Sequence, residues 1–267
     1  MTDTRPDIVF TDLDGTLLDH DDYSFAAASE ALALLNSNAV PWIMNTSKTC
    51  AELRVLGRQL ENTHPFIVEN GAAVVGDFPG ADDRLGGLPC KRFAPARAEI
   101  VTLLEQWREQ YKFTFYGFFD LDTKALADIA GLTEEQAALA LQRDFSEPIN
   151  WQDSDERLQQ FLGMLEAVGL QALGGGRFIH VMGNTDKGKA MRWLAAQLYP
   201  EQTPRIIALG DSGNDVAMLA AADVGVVIRS PHHSAPDIPK PSGRLIYSEE
   251  FGPAGWNTAI KALLGGS

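Results

Sequence analysis

Two aspartates near the amino terminus carry the clearest chemical signal in the sequence. Asp12 and Asp14 follow the apolar stretch IVFT and precede Gly15, a residue that lets the chain turn sharply. If the apolar stretch is a strand, both carboxylates can reach its carboxyl end, where open α/β sheets bind their ligands. One carboxylate of such a pair can attack a phosphorus atom while the other donates a proton to the leaving oxygen. We therefore predict phosphoryl transfer here, although a strand end followed by a tight turn would have the same sequence.

A second acidic motif follows another apolar stretch, RIIALG. Asp211 and Asp215 are four residues apart in the sequence GDSGND. The first would lie at a strand end and the second in the first turn of a helix, so both could reach one cation. Mg²⁺ binds carboxylate and phosphate oxygens together and would reduce the repulsion between these acids and an anionic substrate. A capped turn without a metal would explain the same residues, because Ser, Asn and Asp also favour helix starts.

Two further polar sites are candidates for binding a phosphoryl group. Thr46, Ser47 and Lys48 follow a predicted strand, where hydroxyl groups and a helix amino terminus can form an anion site. Lys187 follows the sequence GNTD at the start of a predicted helix, where its ammonium could bind a phosphate oxygen or a nucleophilic carboxylate. The alternatives are a helix N-cap at the first site and a surface lysine at the second.

The pattern around these motifs predicts an α/β core. Strands alternate with helices in the order of parallel βαβ units, and the alternation stops in the middle of the chain and then resumes. The predicted core elements are a strand at 8–11, a helix at 24–35, a strand at 40–45, a helix at 186–198 and strands at 205–210 and 224–228.

The middle of the chain has a different pattern. Residues 76–89 are rich in Gly, Pro and Asp and are predicted to be a linker or an exposed loop. An amphipathic helix at 96–111, an aromatic strand at 112–119 and a helix beginning near residue 132 follow without βαβ order. This order favours a separate α+β module inserted into the first domain.

The chain as a whole is long enough for two unequal domains. It has 267 residues, of which 45% are hydrophobic. We predict a doubly wound, Rossmann-like parallel sheet from residues 1–85 and 186–267, with an inserted α+β cap from residues 86–185.

Charge and cysteine content limit the partners and the compartment. The net charge of -14 disfavours binding to nucleic acid or to an anionic membrane. Cys50 and Cys90 form no disulfide framework and suit a reducing compartment. The acidic amino terminus lacks the features of a signal peptide, and no apolar run is long enough to span a bilayer. We therefore predict a cytoplasmic protein; its oligomeric state is left open.

The motifs taken together resemble those of the haloacid dehalogenase superfamily, in its Mg²⁺-dependent phosphatase branch with a large α+β cap. The resemblance covers the full chain and rests on four motifs in order, namely DLDGT at 12–16, Thr46, Lys187 and GDSGND at 210–215. It implies that Asp12 is a nucleophile that forms an aspartyl phosphate and that Asp14 acts first as general acid and then as general base. It also implies that Thr46 and Lys187 bind the phosphoryl group, and that Asp12, the Asp14 carbonyl, Asp211 and Asp215 hold Mg²⁺.

Three further stretches narrow the resemblance. They are TSKT at 46–49 with VENGA at 68–72, RDFSEP at 143–148 and GGGRFIH at 174–180. Together they resemble the mannosyl-3-phosphoglycerate phosphatase family. This implies hydrolysis of a glycosyl-3-phosphoglycerate to phosphate and the glycosylglycerate, a compatible solute, with mannosyl and glucosyl substrates both left open.

A substrate with a carboxylate, a phosphate and a sugar needs a guanidinium group and several hydrogen-bonding side chains. Arg177, on a glycine-rich turn, is the first candidate for the carboxylate. The other candidate substrate-binding residues are Ser47, Lys48, Glu69, Asn70, Arg143, Ser146, Glu147 and His180. The remaining histidines are assigned to surface or loop positions, at residues 20, 64, 232 and 233.

Two other functions fit the same motifs. The first is a phosphatase or phosphomutase that acts on another sugar phosphate. The second is a sugar-phosphate-binding protein without turnover, although a pure binder has no need of the Asp12–Asp14 pair.

Overall fold

The computed structural model describes residues 5–175 and 178–265. In this part of the chain the strands are β1 (Asp7–Thr11), β2 (Trp42–Met44), β3 (Phe66–Val68), β4 (Ala73–Val75), β5 (Asp83–Leu85), β6 (Leu88–Arg92), β7 (Phe115–Gly117), β8 (Ser146–Trp151), β9 (Leu170–Gly175), β10 (Phe178–Gly183), β11 (Arg205–Gly210), β12 (Val224–Arg229) and β13 (Arg244–Phe251). The helices are α1 (Ser29–Ser37), α2 (Cys50–Gln59), α3 (Arg97–Tyr111), α4 (Thr123–Ala130), α5 (Glu134–Ala140), α6 (Asp155–Ala167), α7 (Lys187–Leu198), α8 (Val216–Ala221) and α9 (Gly252–Leu264).

A five-stranded parallel sheet forms the centre of the larger domain, in the order β13-β12-β11-β1-β2. The two apolar runs that precede the acidic motifs are neighbours, with Phe10 of β1 opposite Ala208 of β11. Parallel neighbours need crossover connections, which the helices of this domain provide. The doubly wound α/β core that we predicted is therefore confirmed.

Alternate residues of β1 pack against helices on opposite faces of the sheet. Val9 belongs to a hydrophobic cluster that includes Trp256 of α9, whereas Phe10 belongs to a second cluster that includes Met191 of α7. This alternation follows from the two-residue period of a strand, and it explains why the run is apolar at every position. The sheet is thus covered on both sides, and its carboxyl edge is left for a site.

Residues 76–89, which we predicted to be a linker or an exposed loop, contain part of a hairpin instead. β5 and β6 pair through Leu85 and Leu88, and β6 also pairs with β4 in the sheet β3-β4-β6-β5. The correction has a simple reason. Gly86 and Gly87 both have positive φ, at +55° and +84°, which is the backbone of a two-residue hairpin turn.

The smaller domain is an α+β cap, as predicted. Its antiparallel sheet has the order β7-β8-β10-β9. Leu104 of α3 and Phe161 of α6 pack on this sheet with Ile149 and Val181. The cap therefore has a hydrophobic core of its own. The boundaries that we gave, 1–85, 86–185 and 186–267, stay a prediction.

Two predicted elements differ in detail from those observed. The helix predicted at 24–35 is a 3₁₀ turn at Ala26–Ala28 followed by α1. The strand predicted at 112–119 is shortened to β7, because the chain continues as a 3₁₀ helix at Phe118–Asp120. The last residue of that helix, Asp120, accepts a hydrogen bond from the backbone at the end of β7 at 2.9 Å.

Cys50 and Cys90 are buried and free. Within the described ranges, no helix has both the length and the apolar character needed to cross a bilayer.

Candidate active site

The chemical motifs meet at the carboxyl edge of the parallel sheet. Asp12 follows β1 and Asp211 follows β11, and the backbone N–H of Asp12 donates to the Leu209 carbonyl at 2.9 Å. Thr46 lies just beyond β2, and Lys187 is the first residue of α7. The fold thus brings together residues that are far apart in the sequence. This is expected at the topological switch point of an open α/β sheet, where ligands bind at the carboxyl ends of the strands.

Lys187 connects two of the acidic motifs. Its ammonium is fully buried and lies 2.7 Å from Oδ1 of Asp12 and 2.6 Å from Oδ1 of Asp215. Burial alone would lower the pKa of Lys187, but the two adjacent carboxylates outweigh it and raise the pKa above its ordinary value. Lys187 is therefore a buried cation, and the surface-lysine interpretation of the sequence does not apply.

The acidic groups carry more negative charge than Lys187 can neutralise. Burial raises the pKa of Asp12 well above its ordinary value, and repulsion from Asp215 raises it further. Burial also raises the pKa of Asp211, again with a contribution from Asp215. A carboxylate that is buried beside other carboxylates is stabilised by a bound cation.

The donor set fits a hard divalent cation. Asp12, Asp211 and Asp215 each offer a carboxylate oxygen, and these atoms all lie within 4.8 Å of one another. Oxygen donors of this kind suit Mg²⁺. The trio does not include the carboxylate of Asp14, for which we predicted a contribution through the main-chain carbonyl.

The loop after β11 is built around the Asp215 carboxylate. Its Oδ2 accepts hydrogen bonds from the N–H groups of Asp211 and Ser212, both at 3.1 Å. Asp211 in turn accepts a hydrogen bond from the Thr16 hydroxyl at 3.2 Å. Gly15, with φ +73°, lies so close that a Cβ there would be 2.7 Å from Oδ2 of Asp211. The DLDGT and GDSGND motifs are therefore in direct contact, and the absence of a side chain at Gly15 allows it.

Asp14 has one paired and one unpaired oxygen. Its Oδ2 lies 2.8 Å from the ammonium of Lys48. Its Oδ1 is buried and has no hydrogen-bond partner among the described residues. Burial alone would lower the pKa of Lys48, but the charges of Asp14 and Glu52 raise it instead. A buried acceptor without a partner is costly, so Oδ1 of Asp14 is free to carry a proton or to accept a hydrogen bond from a ligand.

The loop after β2 is fixed at both ends. Thr46 is fully buried, and its hydroxyl accepts a hydrogen bond from the Lys48 N–H at 3.3 Å. Thr49 caps α2, because its hydroxyl accepts from the Glu52 N–H at 3.1 Å and the Glu52 carboxylate accepts from the Thr49 N–H at 2.8 Å. The N-cap is thus Thr49, which leaves the preceding residues available for an anion.

A cavity of about 310 Å³ lies over this edge. Its lining includes Asp12, Asp14 and Ser47 of the core together with Gly174 of β9 and His180 of β10 from the cap. A ligand in the cavity would therefore contact both domains at once.

The predicted substrate-binding residues fall into several groups. Ser47 and His180 line the cavity, and Lys48 pairs with Asp14 beside it. Glu147 lies within the cap, where it accepts hydrogen bonds from the Arg97 guanidinium at 2.6 Å and the Phe119 N–H at 3.1 Å. Four residues lie elsewhere at the boundary between the domains or in loop contacts, namely Glu69, Asn70, Arg143 and Ser146. Arg177 lies outside the described residues.

Sequence reasoning missed two histidines of the cavity. His20 and His233 do lie in loops, as predicted, but both line the cavity. His233 is closest to the acidic site, with Nε2 at 3.1 Å from Oδ2 of Asp211. The rings of His20 and His232 are in contact, with their centroids 4.3 Å apart and their planes tilted by 35°. The one sequence signal was position, because His20 follows β1 and His233 follows β12, and both strands end at the same edge of the sheet.

Asp211→Asn should weaken the binding of Mg²⁺ by at least about tenfold. The substitution removes a charged oxygen donor while the contacts of Lys187 to Asp12 and Asp215 remain. Calorimetric titration with Mg²⁺ measures the affinity, and the exposed Asp237→Asn variant is the matched control. Equal affinities of the Asp211→Asn and Asp237→Asn proteins would remove Asp211 from the metal site.

His180→Gln should make the protein less sensitive to acid. Burial, together with the charge of Arg143, lowers the pKa of His180 to about 3. The unfolded chain binds this proton near the ordinary pKa of about 6.5, so stability is lost as the pH falls from 6.5 towards 3. Between pH 7 and pH 5 the variant should retain about 2 kcal/mol of unfolding free energy that the wild type loses.

Urea unfolding at the two pH values measures this difference. The half-exposed His232→Gln variant is the control and should behave as the wild type. A His180→Gln protein that loses as much stability as the wild type would show that His180 is protonated normally in the folded state.

Comparison with known proteins agrees with the geometry. A family model for haloacid dehalogenase-like hydrolases matches residues 9–83, and one for sucrose-6F-phosphate phosphohydrolase matches residues 123–260. The chain is 38% identical to the glucosyl-3-phosphoglycerate/mannosyl-3-phosphoglycerate phosphatase of Methanococcoides burtonii, over 97% of both proteins. It is 33% identical to the protein of that name from Persephonella marina, over 96% of this chain and 97% of the relative. Among solved structures, the phosphatase BT1666 from Bacteroides thetaiotaomicron has a TM-score of 0.68 at 19% identity, covering 98% of this chain and 96% of its own.

A parallel core with acidic groups at its strand ends and an inserted cap above them is the architecture of haloacid dehalogenase-type phosphatases, and this enzyme is one of them. The two named relatives match along almost the whole of their length. The chain therefore belongs to the mannosyl-3-phosphoglycerate phosphatase family, as the sequence predicted.

Proposed function

We propose that the enzyme hydrolyses mannosyl-3-phosphoglycerate or glucosyl-3-phosphoglycerate to the glycosylglycerate and phosphate. The observation that carries this proposal is the match over 97% of the chain to a relative named for both substrates. The site supports it, because an acidic pair and a buried lysine lie beneath a cavity shared by core and cap. The substrate would be a small phosphorylated glycoside, and a cytoplasmic role in making a compatible solute fits the proposal.

Asp12 is the proposed nucleophile. Lys187 donates to its Oδ1, which leaves Oδ2 for attack on phosphorus. The new bond joins Asp12 to phosphorus as the bond from phosphorus to the glycerate oxygen breaks. The positive charge of Lys187 offsets the repulsion between the carboxylate and the phosphate and would stabilise the charge on the transferring phosphoryl group.

Asp14 is the proposed acid and base. The departing glycerate oxygen takes a proton from Asp14, and Asp14 later accepts a proton from the water that attacks the aspartyl phosphate. Its unpaired Oδ1 is the atom that we assign to these transfers, since Oδ2 is paired with Lys48. The products are then phosphate, the glycosylglycerate and a restored Asp12.

Mg²⁺ is the proposed cofactor, held by Asp12, Asp211, Asp215 and the Asp14 carbonyl. When bound, it would neutralise charge between these groups and the substrate phosphate. Thr46 and Lys187 are the proposed ligands of the phosphoryl oxygens.

The cap is proposed to recognise the rest of the substrate and to exclude bulk water. Ser47 and His180, which line the cavity, are best placed to contact the glycosyl glycerate. Arg177 stays our candidate for the glycerate carboxylate. The other predicted substrate ligands stay predictions as well, namely Lys48, Glu69, Asn70, Ser146 and Glu147. The prediction that Arg143 binds the substrate competes with a role in positioning the loop after β2, because its guanidinium donates to the Ser47 carbonyl at 2.7 Å.

A panel of phosphate esters tests the proposed substrate. Phosphate release with Mg²⁺ should be strongly selective for the two glycosyl-3-phosphoglycerates over simple sugar phosphates. Sucrose-6F-phosphate belongs in the panel, because a family model of that name matches residues 123–260. Preference for sucrose-6F-phosphate would identify that ester as the substrate, whereas equal rates on all esters would overturn the specificity that we propose. Release that requires a bisphosphate activator would indicate a mutase.

A further inference from the structure

The loop that follows β2 is fixed by all three of its carbonyl groups. We call residues 46–48 the phosphate loop. Its first carbonyl accepts a hydrogen bond from the Asn70 N–H at 2.9 Å, its second from Nη2 of Arg143 at 2.7 Å and its third from the Glu69 N–H at 3.0 Å. These bonds fix the orientation of each successive peptide group in the loop.

One of these three donors belongs to the cap. Asn70 and Glu69 lie in the core turn between β3 and β4, whereas Arg143 lies between α5 and β8 of the cap. Glu69 and Asn70 have left-handed backbones, with φ +47° and +60°, which L-residues adopt rarely. The phosphate loop is thus completed by a side chain from the other domain.

The cap segment that carries Arg143 is attached to the core at Glu69. The Glu69 carboxylate is fully buried and accepts hydrogen bonds from the N–H groups of Asp144 at 2.8 Å and Phe145 at 3.2 Å. It also accepts from the Ser146 hydroxyl at 2.6 Å and lies 3.5 Å from Nε of Arg143. A buried carboxylate with this many donors fixes one position of the cap segment relative to the core.

Phe145 strengthens the same attachment. Its side chain is 1% exposed and belongs to the hydrophobic cluster of the core rather than to either cluster of the cap. Arg143 is held beside it, because its Nε donates to the Ser146 hydroxyl at 3.0 Å and its side chain is 5% exposed. Since its guanidinium also donates to the Ser47 carbonyl, Arg143 contacts protein groups on several sides.

We infer that Arg143 is a positioning residue by which the docked cap completes the phosphate loop of the core. Arg143 fixes the carbonyl of Ser47, and the next residue, Lys48, pairs with Asp14 at 2.8 Å. The inference rests on the proposed phosphatase activity. Arg143 should affect the transfer of a phosphoryl group from any substrate, because Arg143 acts through the phosphate loop and not through the sugar or the glycerate.

The test compares two substrates of different size in the Arg143→Met variant. p-Nitrophenyl phosphate carries neither sugar nor glycerate, whereas mannosyl-3-phosphoglycerate carries both. We expect kcat to fall about tenfold to a hundredfold on both substrates and by similar factors, because misplacing a catalytic loop slows every transfer. A loss confined to mannosyl-3-phosphoglycerate would show that Arg143 binds the substrate directly and would overturn the inference. Unchanged rates on both would also overturn it.

Milder variants keep the test valid if Arg143→Met does not fold. Arg143→Lys retains the charge but not the forked arrangement of donors, so it should restore part of kcat on both substrates. Ser146→Ala removes one hydrogen bond of Arg143 and one of Glu69 while the bond from Arg143 to the Ser47 carbonyl remains, so it should give a smaller loss with the same equality between substrates. Arg108→Met is the matched control, because Arg108 pairs with Asp120 elsewhere in the cap and its loss should leave both rates unchanged.

Failure of the proposed substrate can be told apart from failure of this inference. If the wild type hydrolyses p-nitrophenyl phosphate but no glycosyl-3-phosphoglycerate, the substrate proposal falls while the comparison on p-nitrophenyl phosphate still tests Arg143. If the wild type hydrolyses neither, calorimetry with inorganic phosphate and Mg²⁺ compares the phosphate affinity of the wild type with that of Arg143→Met. Equal phosphate affinities of wild type and Arg143→Met in that case would overturn the inference.

Discussion

Replacing Asp12 by asparagine should abolish phosphate release, with a fall in kcat of at least about 10⁴-fold. A neutral amide cannot form the aspartyl phosphate, so the loss should appear in kcat rather than in substrate affinity. The fold should survive, because burial and the charge of Asp215 already raise the pKa of Asp12 and make its charged form costly. Phosphate release measures the first effect, and circular dichroism measures the second.

The exposed Asp22→Asn variant is the matched control for Asp12→Asn. It removes the same charge from the loop after β1 and should keep wild-type turnover. If Asp12→Asn retains turnover within tenfold of this control, the nucleophile is another group and the mechanism proposed here is wrong.

Lys187→Met should destabilise the protein by about 3–5 kcal/mol and also stop turnover. The substitution leaves the carboxylates of Asp12 and Asp215 buried without the cation that now lies 2.7 Å and 2.6 Å from them. Urea unfolding measures the change in the free energy of unfolding. Removal of one carboxylate in the double variant Asp12→Asn/Lys187→Met should recover part of the stability, because the remaining repulsion is smaller.

Lys189→Met provides the control in the same helix. Lys189 is 52% exposed and pairs with Asp186, so its replacement should change the free energy of unfolding by no more than about 0.5 kcal/mol. Equal stability of the Lys187→Met and Lys189→Met proteins would show that the buried ion pairs of Lys187 with Asp12 and Asp215 do not stabilise the fold.

The core of the site was predictable because its residues follow apolar strands. Asp12 and Asp211 come directly after short runs rich in apolar and β-branched residues, which are typical of buried strands, and parallel strands bring their carboxyl ends to one edge. Lys187 could be placed at a helix start, but its burial between two carboxylates depends on the packing of α7, which sequence spacing does not specify.

The cap was harder to predict, because its contacts are set by tertiary packing. Nothing in the sequence pairs Glu69 of the core with the distant Arg143, or Arg97 with Glu147 inside the cap. His233 approaches Asp211 from a loop without regular structure, where no periodicity exists to follow. In each of these contacts the sequence gives the residue types but does not indicate which residues lie next to each other in the fold.

Some elements were missed although a local signal was present. Residues 155–167 form α6, which begins at a Ser154 cap followed by acidic residues in its first turn, a common helix start. The paired glycines at 86 and 87 indicated a hairpin turn as strongly as a loop. In both segments the local turn or cap residues, and not the overall composition, indicate the element that forms.

Transfer of a labelled phosphoryl group to Asp12 tests the central claim most directly. Mannosyl-3-phosphoglycerate labelled in its phosphate is mixed with excess enzyme and Mg²⁺, quenched in acid within the first turnover and digested for peptide mapping. We predict that the label appears on the peptide containing Asp12, disappears as free phosphate is formed and never appears in the Asp12→Asn protein. Phosphate release without a labelled peptide at any quench time would contradict the proposed mechanism and indicate direct attack by water.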